Sequence, residues 1–252
     1  MLCPGGERRA PGTRAEDRGV LKDWVRAVTG SLFWEYRSIL LRGLIVNFYV
    51  FLLAGVLAVG MGLVACLARL SPVRALRWCG TLYAELFRNT PEYVLLIWVH
   101  FVPPLVLTLL LRTRINFTPL ISAVVALGLA SSGYFTETFR AGIQSIPRGH
   151  VEAARSTGLS GVLTFRWVIL PQAIRRMLPE ALNQFISLLK STTLVSLIAV
   201  PDLMYQVSMI TQEQMRPMPL YSGAAIIYFV IILSLSTLVR RFSEGWRAAG
   251  RA

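Results

Sequence analysis

Long apolar segments separated by polar stretches dominate the pattern of hydrophobic and polar positions along this 252-residue chain. A bilayer core about 30 Å thick needs about 20 apolar residues in a helix. Five segments, at 44–67, 93–111, 117–134, 185–200 and 221–239, meet this description, although the third and fourth are short or interrupted. The pattern therefore predicts an all-α polytopic membrane protein with about five transmembrane helices.

Composition and charge support that prediction and orient the helices. The chain is 54% hydrophobic and 15% charged, which is too apolar for an ordinary soluble domain. The segments 69–90, 136–180 and 240–252 carry four, six and four Lys or Arg, whereas 112–117 and 201–221 carry two and one. Because basic loops stay on the cytoplasmic side, we expect the C-terminus inside and the N-terminus outside. Residues 1–42 oppose this orientation, with eight basic and five acidic residues.

The net charge of +13 does not indicate a nucleic-acid partner, because the excess lies in loops and tails. Membrane lipid is the expected surrounding. Residues 1–30 are rich in Gly, Pro, Arg and acidic residues, and we expect their first part to be disordered. They lack the apolar centre of a signal peptide. Residues 31–42 are amphipathic and are predicted to lie along the membrane interface, with Phe33, Trp34 and Tyr36 at headgroup level.

Residues 147–171 form a polar island between long apolar segments and carry the local signals of two short helices. Pro147 and Gly149 break the preceding helix. Gly158 is placed to end a helix over 151–157 as a left-handed cap. Ser160 can cap a second helix, and Pro171 is predicted to end it because its ring removes an amide donor.

The same stretch contains Glu152-Ala153-Ala154, Gly158 after three further residues, and Leu170-Pro171 at its end. This order resembles the EAA cytoplasmic loop of permease subunits of ABC importers, with Val168 where that family has Ile. The resemblance implies that the loop, about 147–171, docks on a separate ATPase. Glu152 would bind in the ATPase groove, and the two alanines would allow close approach. The implied coupling residues are Gly149, Glu152, Ala153, Ala154, Gly158 and Pro171.

Three further stretches resemble polar-amino-acid permeases, and the likeness extends over about residues 40–240. Residues 83–94 resemble a segment with the pattern Glu-Leu-Phe-Arg-Gly-Thr-Pro, and 135–147 and 183–194 resemble the segments before the loop and in the fourth span. Asn89 replaces the usual Gly, Glu92 and Tyr93 replace an apolar pair, and Ser191 replaces an acidic or amide residue. These departures leave the exact substrate open.

The resemblance implies a permease subunit that forms a path for polar amino acids in the bacterial cytoplasmic membrane. Residues 43–240 would form its transmembrane domain, and 241–252 a short basic tail. The Lys190-Ser191 pair lacks the glycines of a phosphate-binding loop, so the chain is expected to bind no cofactor, and ATP and Mg belong to the partner. The implied partners are an ATPase dimer, an identical or homologous second permease, and a periplasmic or lipid-anchored solute-binding protein. An importer of an opine or sulfur compound, or a membrane anchor or channel component without active transport, stays an alternative.

Polar residues in the fourth span are the candidates for the substrate path. Asn183, Ser187 and Lys190 are spaced by four and three residues, so they share a helical face. Such a face is expected to line a protein interior or a watered cavity. Lys190 would suit a substrate carboxylate and Glu92 an amino group, and Thr192 and Thr193 complete the set. Each candidate also has an interpretation without a substrate. Glu92 would be a glutamate favoured in the first turn of a helix, and Lys190 would extend its charged end to the membrane surface. The threonines would bond to their own helix, and the polar face would contact the partner permease.

Overall fold

The structure is a computed structural model that describes residues 32–249 of the chain. In that part of the chain all regular elements are helical, and five helices are long and apolar enough to cross a membrane. The predicted all-α fold and the number of spans are therefore confirmed. Residues 1–30, whose first part is predicted to be disordered, lie outside the described residues, as do the last three residues of the basic tail.

The candidate spans are Arg37–Leu70, Glu92–Leu111, Pro119–Gln144, Gly161–Ile198 and Pro217–Arg241. Shorter helices lie between them. In chain order the α-helices are α1 (Leu32–Glu35), α2 (Arg37–Leu70), α3 (Arg74–Asn89), α4 (Glu92–Leu111), α5 (Pro119–Gln144), α6 (Arg148–Ser156), α7 (Gly161–Thr164), α8 (Leu170–Ser191), α9 (Leu203–Gln214) and α10 (Pro217–Ala249).

Helix α5 lies at the centre of the bundle and packs against α2, α3, α4 and α8. Its inward side is rich in small residues, which let helix backbones approach closely in a membrane protein. Two glycines at its contacts illustrate this. A Cβ on Gly62 of α2 would lie 2.8 Å from the Cβ of Phe135, and one on Gly133 would lie 2.8 Å from the backbone nitrogen of Arg88. The core therefore depends on close backbone contact as well as on apolar side chains.

The predicted start of the fourth span at residue 185 is wrong. Helical structure runs from Gly161 to Ile198, through α7, a π-helical turn over Phe165–Ile169, α8 and a 3₁₀ segment over Thr192–Ile198. Arg175, Arg176 and Glu180 interrupt the apolar pattern, but all three are exposed. They therefore occupy one side of a helix that buries its other side, and they do not mark a loop.

The third span also continues beyond its predicted end at residue 134, because its charged residues are paired. Arg69 of α2 donates to the Glu137 carboxylate at 2.9 Å. Arg140 pairs with the same carboxylate one turn further along α5. This ion-pair cluster joins the end of α2 to the end of α5.

The predicted interfacial segment 31–42 is divided between two helices. Only α1 is separate, and residues from Arg37 onward are the first turns of α2. Arg37 covers the face of Trp34, with its guanidinium carbon 4.7 Å from the ring centroid, and donates to the Trp34 carbonyl oxygen at 2.8 Å. An exposed arginine at a helix start does not interrupt the helix, which explains the longer span. The side chain of Phe33 lies outside the described part.

Candidate functional site

The predicted docking helix is α6, and its end is fixed by Gly158. Gly158 adopts φ +82°, a left-handed conformation. Its N–H donates to the Arg155 carbonyl oxygen at 2.9 Å, and the Leu159 N–H donates to the Ala154 carbonyl oxygen at 3.3 Å. These two bonds form a Schellman motif. The prediction that Gly158 ends this helix as a left-handed cap is confirmed.

Ser160 begins the next helix as predicted, since its hydroxyl accepts from the Leu163 N–H at 3.4 Å. The prediction that Pro171 ends this helix is wrong. The Leu170 N–H donates to the Phe165 carbonyl oxygen five residues back, which closes the π turn. Pro171 directly follows this π turn, in the first turn of α8. The loop therefore leads without a break into the fourth span.

Helix α8 contacts the chain at the start of α6. The Nδ1 atom of His150 in α6 lies 2.9 Å from the Oε1 atom of Gln172. Just before α6, Arg176 donates to the Ser145 carbonyl oxygen. These contacts, from α6 and from the residue that follows α5, tie the loop to the first two turns of α8.

The exposed surface of α6 contains most of the predicted coupling residues. Gly149, Glu152 and Ala153 are exposed, and so is Gly158 at its end. Ala154 is 7% exposed and faces the rest of the chain, and the expectation that the two alanines allow close approach of an ATPase stays a prediction. Among residues 32–249, Glu152 forms no ion pair. An exposed carboxylate beside a methyl-sized side chain is a surface that a groove of another protein can approach closely.

The predicted polar face of the fourth span is present on α8. Asn183, Ser187 and Lys190 are all exposed, as helical spacing predicts. The threonines diverge from this face. The Thr192 hydroxyl is buried and donates to the Leu189 carbonyl oxygen at 2.7 Å, and the Thr193 hydroxyl donates to the Lys190 carbonyl oxygen at 2.9 Å.

Glu92 lies in the first turn of α4 and is partly exposed. Within the described part of the chain it forms no ion pair with Lys190. The structure therefore brings together the exposed α8 residues, and it leaves Glu92 on another helix.

A buried polar cluster, formed by Asn47, Thr192, Asp202 and Tyr228, was missed from the sequence. Asn47 of α2 donates to the Thr192 carbonyl oxygen at 3.2 Å and to the Asp202 carboxylate at 3.1 Å. Its own side-chain oxygen accepts from the Leu203 N–H at 3.0 Å and from the Tyr228 hydroxyl at 3.3 Å. The Asn47 cluster thus joins the first, fourth and fifth spans. A lone Asn in an apolar span was the available signal.

Asp202 also begins α9, since its carboxylate accepts from the Tyr205 N–H at 2.9 Å. Burial raises the pKa of this carboxyl to about 6, against the lowering effect of its hydrogen bonds from Tyr205 and Asn47. A buried carboxylate is costly unless it is hydrogen-bonded. The hydrogen bond from the Asn47 amide therefore stabilises the buried Asp202 carboxylate at the start of α9.

These features define a helical membrane protein in which the exposed helix α6 is tied to a spanning helix with a polar face. Residues 56–248 match the family described as binding-protein-dependent transport system inner membrane component. The chain belongs to this family. It is a multi-pass component of the inner membrane.

Individual relatives agree with this assignment. The chain is 33% identical over 215 residues to the probable glutamine ABC transporter permease protein GlnP of Bacillus subtilis, covering 84% of this chain and 95% of the relative. It is 34% identical over 201 residues to the glutamate/aspartate import permease protein GltK of Escherichia coli, covering 79% and 90%. A crystal structure of an amino acid ABC transporter with histidines superimposes with a TM-score of 0.77 at 34% identity, covering 84% of this chain and 96% of that one.

Proposed function

We propose that this chain is the permease subunit of an importer that carries polar amino acids, with ATP hydrolysed by a separate subunit. The observation that carries the proposal is the exposed helix α6, capped at Gly158 and tied to α8 through His150 and Gln172. Relatives at 33% and 34% identity are named for glutamine and for glutamate/aspartate. Their names support amino acids as the substrate class.

In this proposal, ATP and Mg bind to a dimer of ATPase subunits, and each permease places α6 in a groove of one subunit. Closure of the ATPase dimer draws the α6 helices together. The contacts of His150 with Gln172 and of Ser145 with Arg176 then move α8. Gln172 and Lys190 are 18 residues apart on that helix, which is about 27 Å. A movement at the docking surface therefore reaches the polar face near the membrane interior.

The orientation that suits this mechanism has α6 and the C-terminus in the cytoplasm and the N-terminus outside. The basic residues of 69–90 and 136–180 then lie inside, as the positive-inside rule requires. A solute-binding protein would deliver the substrate from outside. A second permease, identical or homologous, would complete the path.

The docking surface is tested with Glu152→Arg in the co-expressed complex. Charge reversal places a cation where a carboxylate would bind, and we expect at least a tenfold loss of ATPase co-purification, or about 1.4 kcal/mol. Glu213→Arg is the matched control, because Glu213 is exposed in α9 on the opposite side in the proposed orientation. Retention of the ATPase by Glu152→Arg, or equal loss with Glu213→Arg, would overturn the docking assignment.

The substrate path is tested with Lys190→Met and Glu92→Gln in proteoliposomes. We propose that Lys190 contacts the substrate carboxylate, with Asn183 and Ser187 beside it, and that Glu92 contacts the amino group. Each variant should raise the concentration needed for half-maximal uptake while the protein inserts normally. Unchanged uptake and preference in both variants would refute this assignment. Preferential uptake of an opine or sulfur compound would change the substrate class, and uptake without ATP would favour a channel component.

A further inference from the structure

A groove on the outside of the bundle lies between the starts of the first and fifth spans. It has a volume of about 490 Å³. Leu40, Leu41 and Leu44 of α2 form one side, and Gly223 and Ile226 of α10 form the other. Gly223 contributes no side chain to the groove, so the two helices leave an open channel at this point.

Among the described residues, the charge of the groove lies at one end. There Arg37 is the charged residue of the described lining, and it lies beside Trp34, which is 70% exposed. One guanidinium N–H donates to the Trp34 carbonyl oxygen at 2.8 Å, and the guanidinium covers the indole ring. These two contacts hold the arginine beside Trp34 at the rim of the groove.

The apolar end runs deeper along the same helices. Leu44 is seven residues beyond Arg37, which is about 10 Å along the helix axis. Both spans begin at this end, because Arg37 starts the first and Pro217 starts the fifth. A charged rim at the membrane surface with an apolar floor directed into the bilayer has the polarity of a phospholipid.

We propose that this groove is a binding site for an anionic phospholipid, with an acyl chain along the leucines and the phosphate on Arg37. The acyl chain gains little by leaving the bilayer, since lipid tails are as apolar as leucine. Selectivity must therefore come from the headgroup. A guanidinium binds phosphate through paired N–H groups, and one basic residue near an anionic surface corresponds to about a fivefold preference.

The test uses native mass spectrometry of the full-length chain in its complex, with phosphatidylglycerol and phosphatidylcholine of identical chains in competition. We expect about a fivefold preference for phosphatidylglycerol, lost in Arg37→Gln. Gly223→Leu fills the groove and should lower the occupancy of both lipids. Arg42→Gln is the matched control, because Arg42 is exposed on the same helix but does not line the groove.

Three outcomes would overturn the proposal. The preference could persist in Arg37→Gln, or Arg42→Gln could abolish it equally, and either result would make the effect a general one of surface charge. Displacement by inorganic phosphate at millimolar concentration would indicate a simple anion site. Absence of retained lipid from the unaltered protein would indicate that another occupant, such as residues 1–31, fills the groove.

Discussion

Replacement of Asn47 by leucine removes the centre of the Asn47 cluster with little change in side-chain size. Asn47 is 1% exposed, so water does not replace the lost bonds. The variant deletes the contacts to Thr192, Asp202, Leu203 and Tyr228, which lie between 3.0 and 3.3 Å. Because leucine fills the space, the cost is that of unpaired polar groups and not of a cavity.

The size of the effect follows from the groups that lose a partner. The Leu203 N–H lies in the first turn of α9, where a helix supplies no acceptor. The Asp202 carboxylate loses one donor. Each buried group left unsatisfied costs about 1–3 kcal/mol, and more when charged. We therefore expect the free energy of unfolding to fall by about 2–6 kcal/mol.

The measurement is equilibrium unfolding of the purified protein in mixed micelles of increasing SDS fraction. Asn183→Leu is the control, because Asn183 is exposed, and surface changes are usually within about 0.5 kcal/mol. If Asn47→Leu unfolds at the same SDS fraction as the unaltered protein, the hydrogen bonds of this cluster do not contribute to stability and the argument is wrong.

Three other predictions concern single residues. A Cβ on Gly43 would lie 2.8 Å from the backbone of Asp202 and Leu203, whereas Gly60 has no atom within 4 Å. Gly43→Ala should therefore lower the melting temperature, at a cost of about 1–3 kcal/mol, and Gly60→Ala should not. Gly158→Ala should weaken ATPase co-purification, since its left-handed φ of +82° costs about 1–2 kcal/mol for alanine, and Gly161→Ala is the control without that conformation. Because burial raises the pKa of Asp202 from 3.8 to about 6, its contribution to stability is complete below pH 3.8 and is lost as the pH rises through 6. Melts between pH 4.5 and 7.5 should show this fall, and Asp202→Asn should remove it.

Local signals predicted the features of the docking loop that depend on neighbours in the chain. The bonds that end α6 at Gly158 and begin α7 at Ser160 join residues at most five positions apart. Glycine and serine have conformational and hydrogen-bonding properties that act at this range. The spans were predictable for a similar reason, because each needs only a continuous apolar run.

Features that depend on distant partners were not predictable. Asn47 bonds to residues 145 and 155 positions away, and no local pattern specifies such a pairing. Arg69 and Glu137 likewise form an ion pair between two helices, and this pairing lowers the cost of placing their charges near a membrane. The start of the fourth span was missed because a helix with one polar side has a low average hydropathy, and a window average does not separate the two sides.

The continuity of α8 has a consequence for how it moves. One end is tied to the docking loop through Gln172. Near the other end, Thr192 is held to α2 by Asn47 through its carbonyl oxygen at 3.2 Å and its hydroxyl at 3.3 Å. We expect a helix held in this way to rotate about Thr192. Displacement should then increase with distance from Thr192, which is about 3 Å for Lys190, about 14 Å for Asn183 and about 26 Å for Arg175.

Pulsed electron paramagnetic resonance can measure these displacements with and without ATP. One spin label is placed at Leu52, which is exposed on α2, and the second at 175, 183 or 190, all exposed positions on α8. We expect the change in distance at 183 to be about half that at 175, from the ratio of the two lever lengths, and the change at 190 to be near zero.

Pro179 lies between positions 175 and 183, and a proline can bend a helix. A change at 175 with none at 183 would therefore mean that α8 bends at Pro179, and a change at 190 as large as that at 175 would mean that Thr192 is no pivot. Either result would refute rotation of α8 as one rigid body, and the second would also remove the mechanical role of the Asn47 cluster.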